Sequence, residues 1–213
     1  MLPELSDKNT DIARLAERAC SDSSLLSEIV GGLRLKVNTK SPEETVRYNC
    51  FKVLMHITRT RGELLYPHWD NLAGLLSSDN SYHKMAAVQL IAGLVKADVQ
   101  NRFESIFDQY FDLLDDRSMI VAIYVATNAG KIVAAKPGLE PRVTTRLLEI
   151  EATHHLPARK ALVSAGAIET FDEYMAQALD RERVLEFVDR QQQSDSPKTK
   201  KLARQFLKKW GNS

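Results

Sequence analysis

Two histidines stand side by side at His154 and His155, and imidazole nitrogens are common ligands of zinc and other transition metals. Together with His68 or His83 they suggest a metal site. Adjacent side chains on a helix point about 100° apart, however, and no further ligands follow at zinc-site spacing. The sequence therefore predicts a pair at a helix start or turn that holds no metal and no cofactor.

Four carboxylates in one short segment are the candidates for acid–base chemistry: Asp108, Asp112, Asp115 and Asp116. The first two are four residues apart and share a helix face. Two exposed carboxylates on one helix do not form an acid–base pair unless a cleft surrounds them. We interpret the cluster as the solvated face of a helix, and an acidic docking patch for a basic partner is the alternative.

Sequence motifs for a nucleophile or a phosphate loop are absent. No Gly-x-Ser-x-Gly occurs, and Gly31-Gly32 is not followed by Lys-Ser or Lys-Thr. Cys20 and Cys50 form no Cys-x-x-Cys pair and are interpreted as two buried thiols in a reducing compartment. The sequence predicts no catalytic residue, which favours a protein that is not an enzyme.

The candidate binding residues share one polar face of two predicted helices: Asn49, Lys52, His56, Arg59, Gln89 and Lys96. The first four are spaced three, four and three residues apart, which places them on one side of a helix. A step of 37 residues carries the stripe to the last two, and a second step reaches only small or apolar residues. Two interpretations stay open: the solvated side of an amphipathic helix, or a basic patch for an acidic peptide or a phosphate backbone.

An internal repeat indicates the elements that must position these residues. Ala92-Gly93, Ala129-Gly130 and Ala165-Gly166 are 37 and 36 residues apart, each late in an Ala-rich segment of helical period. The segments Leu75–Ser81 and Leu113–Ser118 match, and each predicts a helix end, a polar turn and a Ser that caps the next helix. Because Gly costs about 1 kcal/mol in a helix relative to Ala, its recurrence predicts close helix contact, with an open floor for a ligand as the alternative.

This repeat divides the chain into an N-terminal segment, residues 1–23, and about five helix pairs over residues 24–210. The predicted helices are Thr10–Cys20, then Ser24–Leu35 with Pro42–Thr60, Pro67–Leu76 with Ser81–Lys96, Val99–Leu114 with Arg117–Ala135, Pro141–Ala152 with Leu156–Leu179, and Arg181–Gln192 with Ser196–Trp210. The Ser41-Pro42 and Ser196-Pro197 dipeptides are typical of helix starts. Small residues in each second helix predict an inner layer, and the large aromatics of each first helix predict an outer one.

Composition agrees with a helical protein. The 213 residues include only 9 Gly and 7 Pro, which is few for a fold rich in β-turns. A formal net charge of +1 gives no global argument for nucleic acid or for an anionic membrane. No apolar run approaches the roughly 18 residues of a membrane span, and no signal segment is seen, so we expect a cytoplasmic protein with no membrane partner.

The period of about 37 residues, the Ser or Ser-Pro caps, the Ala-rich second helices and the segment Lys200–Leu207 resemble HEAT and armadillo-like repeats. The resemblance covers about residues 24–210. It implies an all-α fold, a right-handed α-α superhelix, in a single domain over residues 1–213. Arg47 and Arg159 match an Arg that such repeats often carry in the second helix, whereas His83 and Ile120 stand near that position in the second and third repeats.

The same resemblance implies a non-catalytic scaffold that binds a protein or peptide partner on its concave face. The alternative is a HEAT-like nucleic-acid-binding protein or a DNA alkylation repair glycosylase, which needs a strongly basic concave face with aromatic and carboxylate groups. A small regulatory or lyase-like subunit is a third option. The oligomeric state stays open, with Trp69 and Tyr110 as candidate dimer contacts on the outer helices.

Overall fold

The computed structural model describes residues 3–35 and 42–211, which form α-helices and short 3-10 turns without a strand among them. The α-helices of this part of the chain are α1 Ile12–Ser21, α2 Ser23–Gly32, α3 Pro42–Thr60, α4 Gly62–Leu65, α5 Trp69–Ala73, α6 Ser81–Leu94, α7 Arg102–Ser105, α8 Phe107–Phe111, α9 Met119–Ala135, α10 Glu140–Leu148, α11 Pro157–Tyr174, α12 Arg181–Arg190 and α13 Pro197–Trp210. The 3-10 turns are Pro3–Ser6, Tyr66–His68, Gly74–Ser77, Val95–Ala97, Asp112–Asp115, Pro137–Leu139, Glu149–Ala152, Met175–Gln177 and Gln191–Gln193.

The chain forms two compact units, Met1–Ile106 and Phe107–Ser213. In the first unit α3 packs against α1, α2, α4 and α6. In the second unit α11 packs against both α9 and α13. Within each unit the second helices of consecutive pairs therefore lie side by side, as the small residues of these helices predict. The single domain expected over residues 1–213 stays a prediction.

Polar side chains at the helix starts explain why the helices begin where they do. Asp11 accepts a hydrogen bond from the backbone N–H of Arg14 at 3.0 Å, and Asp22 accepts one from Ser24 at 2.9 Å. Ser196 accepts one from Thr199 at 3.3 Å, which confirms the cap predicted there. Ser41, the other predicted Ser-Pro cap, lies outside the described residues, and α3 begins at the following proline.

The prediction that a serine caps each of these helices is wrong for Ser81 and holds for Ser118 in position only. Asn80 caps α6 by accepting the backbone N–H of Tyr82 at 2.9 Å, so Ser81 is the first helical residue. Ser118 holds the cap position of α9 but its side chain makes no capping hydrogen bond. In each turn a side chain that precedes the serine accepts a backbone N–H instead: Asn80 that of Tyr82, and Asp116 that of Ser118.

The first helices of the second and third pairs are shorter than predicted. The predicted helix Pro67–Leu76 is instead the 3-10 turn Tyr66–His68, α5 and the 3-10 turn Gly74–Ser77, and the short helix α4 precedes them. The predicted helix Val99–Leu114 begins only at Arg102, since Asn101 adopts a left-handed conformation with φ of 55°. The predicted helix Leu156–Leu179 ends at Tyr174.

The large aromatic side chains of the first helices lie inside the units. Trp69, Phe107, Tyr110 and Phe187 are each at most 1% exposed. The proposed dimer contacts Trp69 and Tyr110 are therefore wrong. Burial of such rings contributes most of the packing energy of a small repeat, and each first helix is amphipathic enough to turn its rings inward.

The recurring glycines mark close helix contacts, which confirms the interpretation favoured from the Ala-Gly repeat. A methyl group at Gly93 would lie 3.1 Å from the side chain of Thr58 on α3. A methyl group at Gly166 would lie 2.8 Å from Cγ2 of Thr127 on α9, and one at Gly130 would collide with the carboxylate of Glu173. Neighbouring second helices thus approach each other at the positions where the repeat places glycine.

Among the described residues, none of the helices combines the length and the apolar character needed to cross a membrane.

Candidate functional site

Five of the six predicted binding residues lie at the surface of two packed helices in the first unit. Lys52, His56 and Arg59 follow one face of α3, and Arg59 is exposed while the other two are half-buried. On α6, Gln89 is half-buried and Lys96, in the 3-10 turn that follows the helix, is exposed. We call these five residues the polar surface of α3 and α6.

Asn49 does not share this surface. Its side chain is buried, with 1% exposed, and its amide nitrogen donates to the backbone oxygens of Leu5 at 3.0 Å and Asp7 at 2.8 Å. The amide therefore holds the N-terminal 3-10 turn against α3. Helical spacing alone cannot separate Asn49 from Lys52, because the turn that covers Asn49 comes from a distant part of the sequence.

Direct contacts set the register between α3 and α6. The Lys96 ammonium lies 3.4 Å from the backbone oxygen of Arg59, 37 residues earlier. At the other end of the pair, the Arg47 guanidinium lies 5.2 Å from the ring centroid of Tyr82. The 37-residue step that extends the polar stripe therefore matches the packing of Lys96 against Arg59.

Arg47 and Arg159, which matched a recurrent Arg of HEAT-like repeats, lie in different environments. Arg47 is 2% exposed and donates to the Glu44 carboxylate at 3.1 and 2.6 Å. Arg159 is exposed in the first turns of α11. Arg47 is a structural part of its repeat, because the Glu44 carboxylate and the Tyr82 ring lie within its reach.

Two tyrosines border the polar surface and were not predicted as site residues. Tyr48 is 50% exposed and Tyr82 is 42% exposed. The Lys52 ammonium lies 5.0 Å from the ring centroid of Tyr48, a cation–π distance that orients both groups. Exposed aromatic side chains beside cations are typical of protein recognition surfaces. The sequence places Tyr48 one turn before Lys52, but a stripe defined by polar residues does not include an aromatic ring.

The acidic segment of the second unit is engaged by neighbouring basic side chains. Asp108 pairs with Arg142 at 3.6 Å, and Asp112 pairs with Arg146. Asp116 accepts the backbone N–H of Ser118 at 2.8 Å. The carboxylates therefore link consecutive helix pairs, which favours a structural role over acid–base chemistry or a free acidic patch.

His154 and His155 lie in a bend between the 3-10 turn Glu149–Ala152 and α11, so the helix geometry that argued against convergence does not apply. Asp115 approaches them from the preceding pair. Its Oδ1 lies 2.5 Å from Nδ1 of His154 and accepts the His154 backbone N–H at 2.7 Å. One ligand atom from each of the three residues lies within 4.8 Å of the others. His68 and His83 belong to the first unit and take no part.

The electrostatics of this cluster favour an ionised carboxylate. Burial raises the pKa of Asp115, but the hydrogen bonds from the backbone and ring of His154 outweigh it, so the pKa is lowered overall. In the first unit, burial raises the pKa of the Cys50 thiol to about 12, which makes this cysteine an inert core residue. Cys20 is half-buried rather than buried, in contrast to the prediction.

Comparison with known proteins identifies the fold and no family. No protein-family model matches the sequence, and no curated protein matches it. A solved structure of a designed armadillo repeat protein is similar, with 16% identity, 96% of each chain covered and a TM-score of 0.52. At that identity the likeness concerns the fold alone. The chain is therefore an all-α solenoid with an armadillo-like helical repeat fold.

Proposed function

We propose that the protein is a non-catalytic scaffold that binds an acidic, extended protein segment on the polar surface of α3 and α6, on the concave face expected of its repeats. The observation that carries the proposal is the packing of α3 against α6, with the Lys96 ammonium 3.4 Å from the backbone oxygen of Arg59. Helical repeat proteins use extended surfaces of this kind for recognition.

The chemistry of the surface supports a segment with negative charge. Lys52, Arg59 and Lys96 contribute three cations, and none of the five residues of the surface is acidic. Tyr48 and Tyr82 add exposed rings that offer apolar contact and a hydroxyl. A peptide with carboxylates spaced along an extended backbone, interrupted by apolar side chains, matches this combination.

The residues of the polar surface fit nucleic acid less well than they fit an acidic protein segment. Neutralising a phosphate backbone requires a long series of cations, because each contact adds a roughly equal electrostatic contribution. The polar surface holds three strongly basic residues, and the positions two repeats further on are Ala126, Gly130 and Val133, all buried. We therefore prefer the protein partner, and duplex DNA serves as the competing ligand in the test.

The test selects ligands without assuming a natural partner. A display library of random peptides is screened against the full chain, and the affinity of an enriched peptide is measured by fluorescence anisotropy. We expect acidic sequences, and we expect K52E/R59E/K96E to weaken binding at least tenfold, since three charge contacts of about 0.2–1 kcal/mol each become repulsive.

The matched control reverses three exposed charges elsewhere. K201E/R204E/K208E makes the same change in net charge on α13, in the second unit, and should leave the affinity within twofold of the wild type. Equal losses in both variants would mean that only net charge matters. Enrichment of neutral or basic peptides, or tighter binding of labelled duplex DNA that K52E/R59E/K96E abolishes, would overturn the proposal.

A further inference from the structure

The ring of His155 has one nitrogen engaged and one without a partner. The side chain is 4% exposed, and its Nε2 lies 3.2 Å from the backbone oxygen of Leu114. A carbonyl oxygen only accepts, so Nε2 carries the proton and the neutral ring presents a lone pair at Nδ1. Within the described residues, Nδ1 is buried and finds no hydrogen-bond partner. A backbone carbonyl that fixes the tautomer in this way is typical of histidines that ligate metals.

A second histidine of the chain makes the contrast clear. In the first unit, Nε2 of His83 lies 3.1 Å from the backbone oxygen of Leu35, the same kind of contact that His155 makes with Leu114. The Nδ1 of His83, however, lies 3.0 Å from the hydroxyl of Ser78. Both of its ring nitrogens are therefore satisfied by the protein. His155 repeats the arrangement with the second partner missing.

The groups nearest to His155 are those that would complete a metal site. The His154 ring lies over it, with 4.5 Å between the ring centroids. Asp115 Oδ1 lies 2.5 Å from Nδ1 of His154, and one potential ligand atom from each of the three residues lies within 4.8 Å of the others. We propose that Asp115, His154 and His155 form a binding site for a divalent transition-metal ion of the zinc class, with solvent completing its coordination.

Only small side-chain movements are needed. Zinc bonds to nitrogen and oxygen of about 2.0–2.2 Å place tetrahedral ligands roughly 3.3 Å apart. Asp115 Oδ1 and His154 Nδ1, which are 2.5 Å apart, must move away from each other. The His154 side chain must also turn aside so that the ion can reach Nδ1 of His155. Asp115 and His154 are both exposed, so their side chains are free to make this adjustment, whereas buried His155 stays fixed.

The surroundings offer access and a favourable charge. A surface cavity of about 560 Å³ is lined by Asp115 and by Thr153, the residue before the histidine pair. Its lining contains three carboxylates, those of Asp112, Asp115 and Glu149, against the single guanidinium of Arg146. A surplus of carboxylates raises the local concentration of cations. The cavity leaves room for a water molecule on an open coordination position of the ion.

The site is tested by titrating the tag-free full chain, stripped with a chelator, with Co²⁺ and then Zn²⁺. We expect saturable binding of one equivalent, with visible Co²⁺ bands of four- or five-coordinate intensity that Zn²⁺ displaces. Asp115→Asn and His154→Ala, both at exposed positions, should each weaken the affinity at least tenfold. His155→Gln, which keeps a donor for Leu114 but loses the Nδ1 lone pair, should weaken it similarly.

Controls separate this site from adventitious surface binding. His68→Ala removes a histidine of the first unit and should leave the titration unchanged. Circular dichroism establishes that each variant is folded, and the two exposed substitutions keep the test valid even if His155→Gln is not. Absence of saturable binding would overturn the site, as would equal affinity in wild type, Asp115→Asn and His154→Ala. The peptide measurements concern the other unit, so either proposal can fail without the other.

Discussion

Single side chains on α3 separate a buried structural residue from a residue at the surface. Asn49 and Lys52 are one helical turn apart, yet Asn49 is buried against the N-terminal 3-10 turn while Lys52 lies beside an exposed tyrosine ring. The polar spacing of the sequence correctly predicted a shared face for Lys52, His56 and Arg59. The spacing could not predict the burial of Asn49, because its partners Leu5 and Asp7 are 44 and 42 residues away in the sequence.

Asn49→Ala should reduce the free energy of unfolding by about 1–3 kcal/mol, because two backbone oxygens lose their donor. The change is measured by urea denaturation followed by circular dichroism. Gln89→Ala is the control, since the Gln89 amide donates only to Met85 of its own helix, and its effect should stay within about 0.5 kcal/mol. An unchanged midpoint for Asn49→Ala would contradict the role assigned to this residue.

Asp172 provides a second prediction at the residue scale. Burial raises its pKa, but hydrogen bonds from Lys209 Nζ at 2.8 Å and Trp210 Nε1 at 2.6 Å outweigh it, and the pKa is lowered overall. A lowered carboxyl pKa stabilises the fold above the unfolded value of about 3.9 and loses that contribution as the pH falls through the folded value.

The indole N–H resonance of Trp210 reports this titration. In a pH series from 7 to 2.5 followed by NMR, it should shift with an apparent pKa below that of an ordinary aspartate. The same resonance in Asp172→Asn should not titrate. Trp69, the only other tryptophan, serves as an internal reference because it lies in the first unit. A midpoint above 4 would disprove the assigned hydrogen bonds.

At the scale of the elements, the second helices are held together by small residues and by hydroxyl contacts. In the second unit, the Thr170 hydroxyl donates to the backbone oxygen of Ala126 at 2.7 Å, and the Thr199 hydroxyl donates to that of Ala161 at 2.7 Å. The Ala-Gly repeat predicted the close approach correctly. The hydrogen bonds of Thr170 and Thr199 were not predicted, because helical spacing does not distinguish a buried threonine from an exposed one.

Two glycines of the repeat should respond differently to the same substitution. Gly166→Ala should destabilise the protein by about 1–3 kcal/mol, because the new methyl group meets Thr127 Cγ2 at 2.8 Å and Ala126 Cβ at 3.3 Å. Gly130→Ala should be neutral or stabilising by up to about 1 kcal/mol, because only the flexible, exposed Glu173 carboxylate must move and helix propensity improves.

Thermal and urea denaturation of the two variants provide the comparison. Thr127→Ser removes the methyl group that obstructs Gly166→Ala, so the double variant should recover part of the lost stability relative to Thr127→Ser alone. Equal destabilisation by both glycine substitutions would contradict the claim that the Glu173 carboxylate moves aside at little cost.

For the whole molecule, the sequence was sufficient to predict the fold class and insufficient to predict two kinds of contact. The 37-residue period and the Ala-Gly dipeptides predicted the helix pairs, and α3 has the predicted bounds Pro42–Thr60. The 3-10 turns around α5 and the left-handed conformation of Asn101 were not predicted, because neither is encoded in apolar periodicity. The cluster of Asp115 with the histidine pair was missed because it joins two turns from consecutive repeats.

The 39-residue separation of Asp115 and His154 was nevertheless a usable signal. It is close to one repeat period, so turn residues of consecutive pairs are expected to lie near each other in a solenoid. A shift of about one repeat period, like the one that relates Lys52 to Gln89, relates the turn of Asp115 to the turn of His154. The sequence of a repeat protein is therefore best searched along its period as well as along its helices.

The most direct measurement of the proposed function is site-specific photocrosslinking of the selected acidic peptide. A benzophenone amino acid is placed at position 56 or 89 on the polar surface of α3 and α6, and at the exposed position 205 on α13 as the control. Binding at the polar surface predicts peptide adducts from positions 56 and 89, reduced by raised salt concentration, and none from position 205. Adducts from position 205 alone, or from none of the three positions while the peptide still binds, would contradict it.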